Sequence, residues 1–185
     1  MTLPRMPHEN SDTPAVSAEL PHWEREKPRR IWDPSRRLLK SLREYQSAEK
    51  RSGVWATISR KLHNLQHRFW SVVTQADIPI NCSLAGGLIL PHPNGIVIHS
   101  KSSVGPNCII FQQVTLGTSS AGSGLPKLGG GVEIGAGAKI LGPVTIGDHA
   151  IVGANAVVVD DIPEAAIAVG IPARIVGYRW DTDKG

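Results

Sequence analysis

The chain is poor in the residues that mark several common protein classes. Among its 185 residues are two cysteines, Cys82 and Cys108. Two are too few for a disulfide framework, and no Cys-x-x-Cys or His/Cys cluster suggests zinc. No apolar run approaches the roughly 18 residues that a spanning helix needs, which excludes an integral helical membrane protein. The first twenty residues lack the apolar stretch of a secretory signal. Aromatic residues make up 5% of the chain. No helix-turn-helix, aromatic platform or RNA-binding signature accompanies the basic residues. These absences point to the reducing cytoplasm, with no metal, no nucleic acid and no membrane span.

The residues that are present are unevenly spread. A 41% apolar share with 19% charged residues fits a globular protein. Residues 1–70 carry 14 basic and 8 acidic side chains, whereas residues 71–185 carry 6 and 8. The basic half is compatible with contact to nucleic acid or an acidic membrane, but reads first as a solvated helix surface. Seventeen of the 19 glycines lie between Gly86 and Gly177, so two kinds of structure meet near residue 76.

Residues 1–33 contain five prolines and little apolar periodicity. They read as a disordered arm, unable to bury enough surface to offset ordering entropy. From Pro34, a residue suited to a first helical position, Leu38, Leu39, Leu42 and Tyr45 recur at helical spacing. After Gly53, a second stripe runs through Val54, Ile58, Leu62, Leu65, Phe69 and Val72. The spacing predicts helices over 34–50 and 54–73, within a helical segment 34–75, with Phe69 and Trp70 packing on the structure beyond the second helix. His63 and His67, four apart, read as surface histidines.

Beyond Asp77 the period becomes six, and repeats take precedence over single-strand assignments. Taking Ile80 as the first position, the series runs Gly86, His92, Ile98, Val104, Ile110 and Leu116. It resumes with Leu128, Ile134, Ile140, Ile146, Val152 and Val158. Each hexad supplies a short strand and a turn, three hexads make an 18-residue coil, and coils bury a core only against one another. The expected fold is mainly β: a left-handed parallel β-helix of hexapeptide repeats over 76–177, preceded by a short α-helical segment. Residues 117–127, with three Gly and three Ser, interrupt the register as a loop, and 178–185 form a tail.

His92 stands out. In this register it takes a position held mostly by Leu, Ile or Val, between Pro91 and Pro93. A polar ring on stiffened backbone in an aliphatic slot breaks a local rule, as functional residues often do. Cys108 falls in an inward slot and reads as core. Residues 18 apart stack on one edge, so Ala136, Ala154 and Pro172 are expected to form a column of small residues.

The stretches ADIPINCSLAGGLILPHPNGIVI, VGPNCIIFQQVTLG, PKLGGGVEIGAGAKILGPVTIGDHAIVGANAVVV and VGIPARIVG resemble the serine O-acetyltransferases of the hexapeptide acyltransferase superfamily. The likeness covers about 100 residues, Asp77 to Gly177. Its specific features are an Asp fifteen residues before a His in a His-x-x-Gly-Ile-Val context, and Gln-x-Val-Thr-Leu-Gly. The resemblance implies acetyl-CoA as co-substrate, His92 as general base and Asp77 as its partner. By matching position it assigns Gly117, Ala136, Lys139, Ala154 and Arg174 to coenzyme binding, between subunits of a homotrimer. L-serine is the expected acceptor and O-acetyl-L-serine, the cysteine precursor, the product.

Three departures are visible. The family's Arg-His before Pro-Lys is replaced by Gly124-Leu125, which removes a charge-assisted carboxylate contact. The amino-terminal helical region is short, favouring a trimer over a larger assembly. No isoleucine-ended tail follows Gly177, so docking onto cysteine synthase is not expected. Two alternatives stay open: an O-acetyltransferase acting on a sugar or polysaccharide precursor, and a non-catalytic β-helix scaffold.

Overall fold

The computed structural model describes residues 16–120 and 124–180; part of the expected arm, of the loop and of the tail lies outside them. Two helices lead into the repeats. Helix α1, Pro34–Glu49, starts with Pro at its first position and buries Leu38, Leu39 and Leu42. Helix α2, Val54–Thr74, ends at Gln75, whose backbone is left-handed.

The repeats then wind into a three-faced prism whose strands are numbered along the chain. One face stacks β1 (Ser83–Leu84), β3 (Ser103–Val104), β6 (Lys127–Leu128) and β9 (Thr145–Ile146). A second stacks β4 (Ile109–Ile110), β7 (Glu133–Ile134), β10 (Ile151–Val152) and β12 (Ala166–Val169), with β13 (Arg174–Tyr178) antiparallel at its end. The third stacks β2 (Val97–Ile98), β5 (Thr115–Gly117), β8 (Lys139–Leu141) and β11 (Val157–Val158). All pairings except β12–β13 are parallel. The second residue of each short strand points inward, and Ile98, Ile110, Leu116, Ile134, Ile140, Ile146 and Val152 are almost wholly buried. Parallel strands with no flanking helices survive here because every inward side chain meets its equivalent in the next coil.

Coil length is not constant, and two deviations correct the sequence reading. Glu133 pairs with Ile151 and Lys139 with Val157, as 18-residue coils require. The first coil is two residues longer: Asp77 pairs with Val97 and Ile89 with Ile109. The inward aliphatic residues of that coil are Ile78, Leu84 and Leu90; Ile80 is half-buried, Gly86 is covered by Trp23, and His92 is exposed. The extra pair sits in the corner between Leu90 and Ile98, so His92 is an exposed corner residue rather than a polar ring in an aliphatic slot. The last coil is two residues shorter, Ile151 pairing with Ile167. Gly170, whose carbonyl accepts the Val157 amide, therefore lies above that region, and Pro172 falls out of the expected column.

Part of the arm expected to be disordered is ordered against the prism. Asn107 accepts the His22 amide at 2.8 Å and donates to the carbonyls of Ser17 and Leu20 at 2.7 and 2.8 Å. A short 3-10 turn, Trp23–Glu26, follows. Trp23 lies on Gly86, where a Cβ would approach its ring to 2.7 Å. Glu26 is buried against Arg43 and accepts the Leu88 amide. The prolines prevent regular structure here, but side-chain and backbone bonds to the first coils supply the order that composition could not signal.

Helix α2 also departs from expectation. Its polar side packs on α1 and the first coil, while Val54, Ile58, Leu62, Leu65, Phe69 and Val72 face outward. His67 is buried rather than superficial: its Nε2 N–H donates to the Ile78 carbonyl at 2.8 Å, and Nδ1 lies 3.3 Å from Ser41 Oγ. Burial lowers its pKa. Trp70 packs partly against the core, while Phe69 is more than half exposed and meets Trp70 in a T-shaped contact at 5.0 Å.

Candidate active site

One edge of the prism, between the second and third faces, gathers three of the candidate residues, His92, Ala136 and Ala154. Its corners follow one another by backbone hydrogen bonds. The Gln113 amide donates to Asn94, Gly137 to Gln112 and Asn155 to Ala136, at 2.8–2.9 Å. Gly95, Gln113, Gly137 and Asn155 occupy the same left-handed corner, with φ between 56° and 76°. Glycine and asparagine adopt that conformation at least cost, which explains their recurrence in the sequence. The edge therefore carries the His92 corner at its base, then Gln112, Ala136 and Ala154.

His92 projects from the elongated first corner, flanked by Pro91 and Pro93. It borders a cleft of about 820 Å³. The opposite wall is the amino-terminal segment, with Arg25, Arg29, Arg30, Trp32 and Arg36, and the end of α2 contributes Thr74 and Gln75. Arg25 is engaged, donating to the Asn107 carbonyl at 2.7 Å, and Arg36 donates to the Arg25 carbonyl at 2.9 Å. Burial lowers the Arg25 pKa. Arg29 and Arg30 stay exposed at the cleft rim.

Asp77 begins the first coil. Its amide donates to Ile96 and its carbonyl accepts from Ile98, at 2.8 and 2.9 Å. This pairing opposite Val97 holds it on the third face, beside the corner that carries His92 but outside the cleft lining. No hydrogen bond joins the His92 ring to the Asp77 carboxylate among the described residues. Catalytic hydrogen bonds are often long before substrate binds and tighten in the complex.

The residues assigned to the coenzyme do not all share the edge. Ala136 and Ala154 do, with Gly135 so close beneath Ala154 that a Cβ would lie 2.6 Å from its amide nitrogen. Lys139 opens β8 just beyond this corner, its ammonium donating to the Gln113 carbonyl. Gly117 lies at the far end of the third face, its carbonyl accepting the Gly142 amide at 2.9 Å, beside the loop. Arg174 stands higher, beyond Ala173, whose amide donates to Val157, and pairs with Asp160 at 3.4 Å.

One polar group on the edge went unassigned in the sequence reading. The Gln112 Oε1 atom is buried without a hydrogen-bond partner among the described residues. Gln112 stands two residues past Ile110, as His92 stands two past Leu90. It lies within the Gln-x-Val-Thr-Leu-Gly motif, but only the stacking of coils brings it above Asn94, in the corner that also carries His92.

The cysteines are structural. Cys108 is fully buried, with Sγ 3.2 Å from the Gly129 carbonyl, and burial pushes its thiol up to about 12. Cys82 is raised to about 11 by burial, with Asp77 adding to the shift. Neither thiolate is accessible as an acyl carrier at neutral pH. Among the described residues no group of three or more His, Cys, Asp or Glu is placed to hold a metal ion. No described helix is long and apolar enough to cross a membrane.

A stack of short parallel strands with small, left-handed corners is the left-handed β-helix of hexapeptide-repeat proteins. The family described as bacterial transferase hexapeptide (six repeats) matches residues 126–160. Within that class this chain is a relative of the serine acetyltransferases. It is 37% identical over 134 residues to the serine acetyltransferase of Mycobacterium tuberculosis, covering 71% of this chain and 58% of that protein. A solved serine acetyltransferase in complex with CoA superposes with a TM-score of 0.65 at 34% identity, covering 79% of this chain and 58% of that one. A soybean serine acetyltransferase complexed with serine gives 0.60 at 36% identity, covering 74% and 56%. This chain thus spans less than two thirds of each relative.

Proposed function

We propose that this protein is an acetyl-CoA-dependent O-acetyltransferase, with L-serine the leading acceptor and O-acetyl-L-serine the product, supplying cysteine biosynthesis in the cytoplasm. The observation that carries this reading is the exposure of His92 at a cleft mouth, on the same edge as the small corners Ala136 and Ala154. Both solved relatives, one holding CoA and one holding serine, share this fold.

The chemistry follows from the side chains. A neutral His92 imidazole accepts the acceptor's hydroxyl proton as that oxygen attacks the thioester carbonyl carbon. The tetrahedral intermediate collapses with cleavage of the C–S bond, and the imidazolium returns the proton to the departing CoA thiolate. Asp77 orients the ring and stabilises the imidazolium once the complex has formed. The pantetheine arm runs along the edge over Ala136 and Ala154, where a larger side chain would obstruct it. Gly117 lets backbone approach the arm, while Lys139 and Arg174 offer charge to the CoA phosphates. Gly117 and Arg174 lie away from the His92 edge within one chain, which favours a homotrimer whose neighbours share each site.

The cleft favours a second acceptor class, a sugar hydroxyl. About 820 Å³ lies within the range of sites for ligands much larger than an amino acid. The wall places the Trp32 ring, a surface suited to a sugar face, beside His92, and Gly124-Leu125 supplies no cation from the loop. The test is CoA release from acetyl-CoA with L-serine and a panel of sugars, for the protein and for His92→Ala. Serine-dependent release lost in the variant supports the first reading. Release with a sugar alone moves the acceptor to the second. No release with either, together with no acetyl-CoA binding, would leave a scaffold.

A further inference from the structure

The outward face of α2 is the largest unexplained feature of the molecule. Val54, Ile58, Leu62, Leu65, Phe69 and Val72 fall within an arc of about 100° and run for about 27 Å along the helix. Every one is at least half exposed. Trp55, 84% exposed, extends the stripe at one end. At the other, Phe69 meets Trp70, and Trp70 meets Trp32 edge-on at 5.7 Å. Trp32 is itself exposed, and its neighbour Ile31 is 90% exposed. The helix is amphipathic in the reverse of the usual sense, with its polar side turned to the protein.

Charge decides what fits this face. Between Arg51 and Thr74 the chain holds Arg51, Arg60, Lys61 and Arg68 and no carboxylate. Lys61 and Arg68 border the apolar arc on one side. The nearest α1 carboxylate, Glu44, lies against His63 and Lys40. Arg29 and Arg30 add exposed cations beside Ile31 and Trp32. A second copy of α2 packed antiparallel would set the Lys61 and Arg68 row against its own equivalent, and a parallel copy would offer no anion. An apolar stripe with tryptophan at both ends and cations alongside is instead the pattern of a helix lying in a lipid interface.

We propose that α2 seats this protein on an anionic lipid surface, with its apolar face among the acyl chains and Lys61 and Arg68 at the headgroups. The helix lies in the interface and does not span it. Trp32 belongs both to this surface and to the wall of the His92 cleft, so docking would hold the cleft mouth close to the headgroup plane.

The test is flotation of the full chain with vesicles of phosphatidylcholine, alone or mixed with phosphatidylglycerol, at low and high salt. Binding to the mixed vesicles, weakened by salt and absent on phosphatidylcholine, is expected. Leu62→Glu with Leu65→Glu should reduce the bound fraction tenfold or more. Lys61→Gln with Arg68→Gln should weaken binding by about fivefold per cation and flatten the salt dependence. Circular dichroism establishes that the variants fold, and if the leucine pair does not, the cation pair carries the test alone. No binding to the mixed vesicles overturns the proposal, as does equal binding by the folded variants. So does a fall in molecular mass by light scattering in the leucine pair, which would make the stripe a contact between copies. Acetyl transfer measured without vesicles is a separate readout, so failure of docking and failure of the enzymatic reading are distinguishable.

Discussion

Glu26 and Arg43 are joined by two hydrogen bonds of 2.9 and 3.0 Å, and the same carboxylate accepts the Leu88 amide at 3.0 Å. This links the amino-terminal segment, α1 and the first coil through one buried acid. Removing one partner of a buried pair strands the other charge, at a cost of about 3–5 kcal/mol. Glu26→Ala is expected to lose stability on that scale in denaturant unfolding. Adding Arg43→Met should recover part of the loss, because the stranded guanidinium is then gone.

His92→Ala is expected to lower kcat by about 10²–10⁴, the contribution typical of a general base. Acetyl-CoA affinity, measured by calorimetry, should be unchanged, because the ring acts on the acceptor. A variant that loses coenzyme binding and turnover together would show that His92 is structural.

Ala154 is exposed on the edge proposed for the pantetheine arm. Ala154→Phe should raise KM for acetyl-CoA at least tenfold while leaving the unfolding midpoint within the small range of surface substitutions. An unchanged KM would remove the arm from this edge.

His67 makes stability depend on pH. Burial lowers its folded pKa below the ordinary 6.5, so the unfolded chain binds the proton more readily. The neutral ring's contribution is complete above pH 6.5 and is lost as pH falls from 6.5 toward the folded pKa. The slope is at most about 1.4 kcal/mol per pH unit for one proton. His67→Gln keeps a donor for the Ile78 carbonyl without titrating, and should flatten this part of the profile in unfolding experiments at stepped pH.

Cys108 and Cys82, raised to about 12 and about 11, should resist thiol reagents at neutral pH until the protein unfolds. Cys108→Ala should retain acetyl transfer, because no acyl-cysteine lies on the path. Rapid native labelling accompanied by lost transfer would contradict direct transfer to the acceptor.

The hexad pattern located the prism because each strand's inward residue repeats along the chain and is buried by its own equivalent one coil away. It misread the first coil, where two residues added between Leu90 and Ile98 shift the register. A count along the sequence carries the old phase through such an insertion, and only the pairing of Asp77 with Val97 exposes it. The count therefore gives His92 an inward slot, whereas the fold places it exposed at the cleft. Gln112 was visible within a motif, but its orphaned acceptor depends on how neighbouring coils pack.

Local periodicity and backbone preference were enough to specify the solenoid, the two helices and the small left-handed corners. They could not specify which side of α2 turns inward. A stripe of leucines says only that one face is apolar, whereas the bond from His67 to Ile78 fixes the opposite face against the core. Long-range packing also ordered the proline-rich segment, through the bonds of Asn107 to His22 and of Glu26 to Leu88, 85 and 62 residues apart along the chain. Interactions at such separations leave no period in the sequence, because their energy comes from surfaces that exist only after the prism has formed.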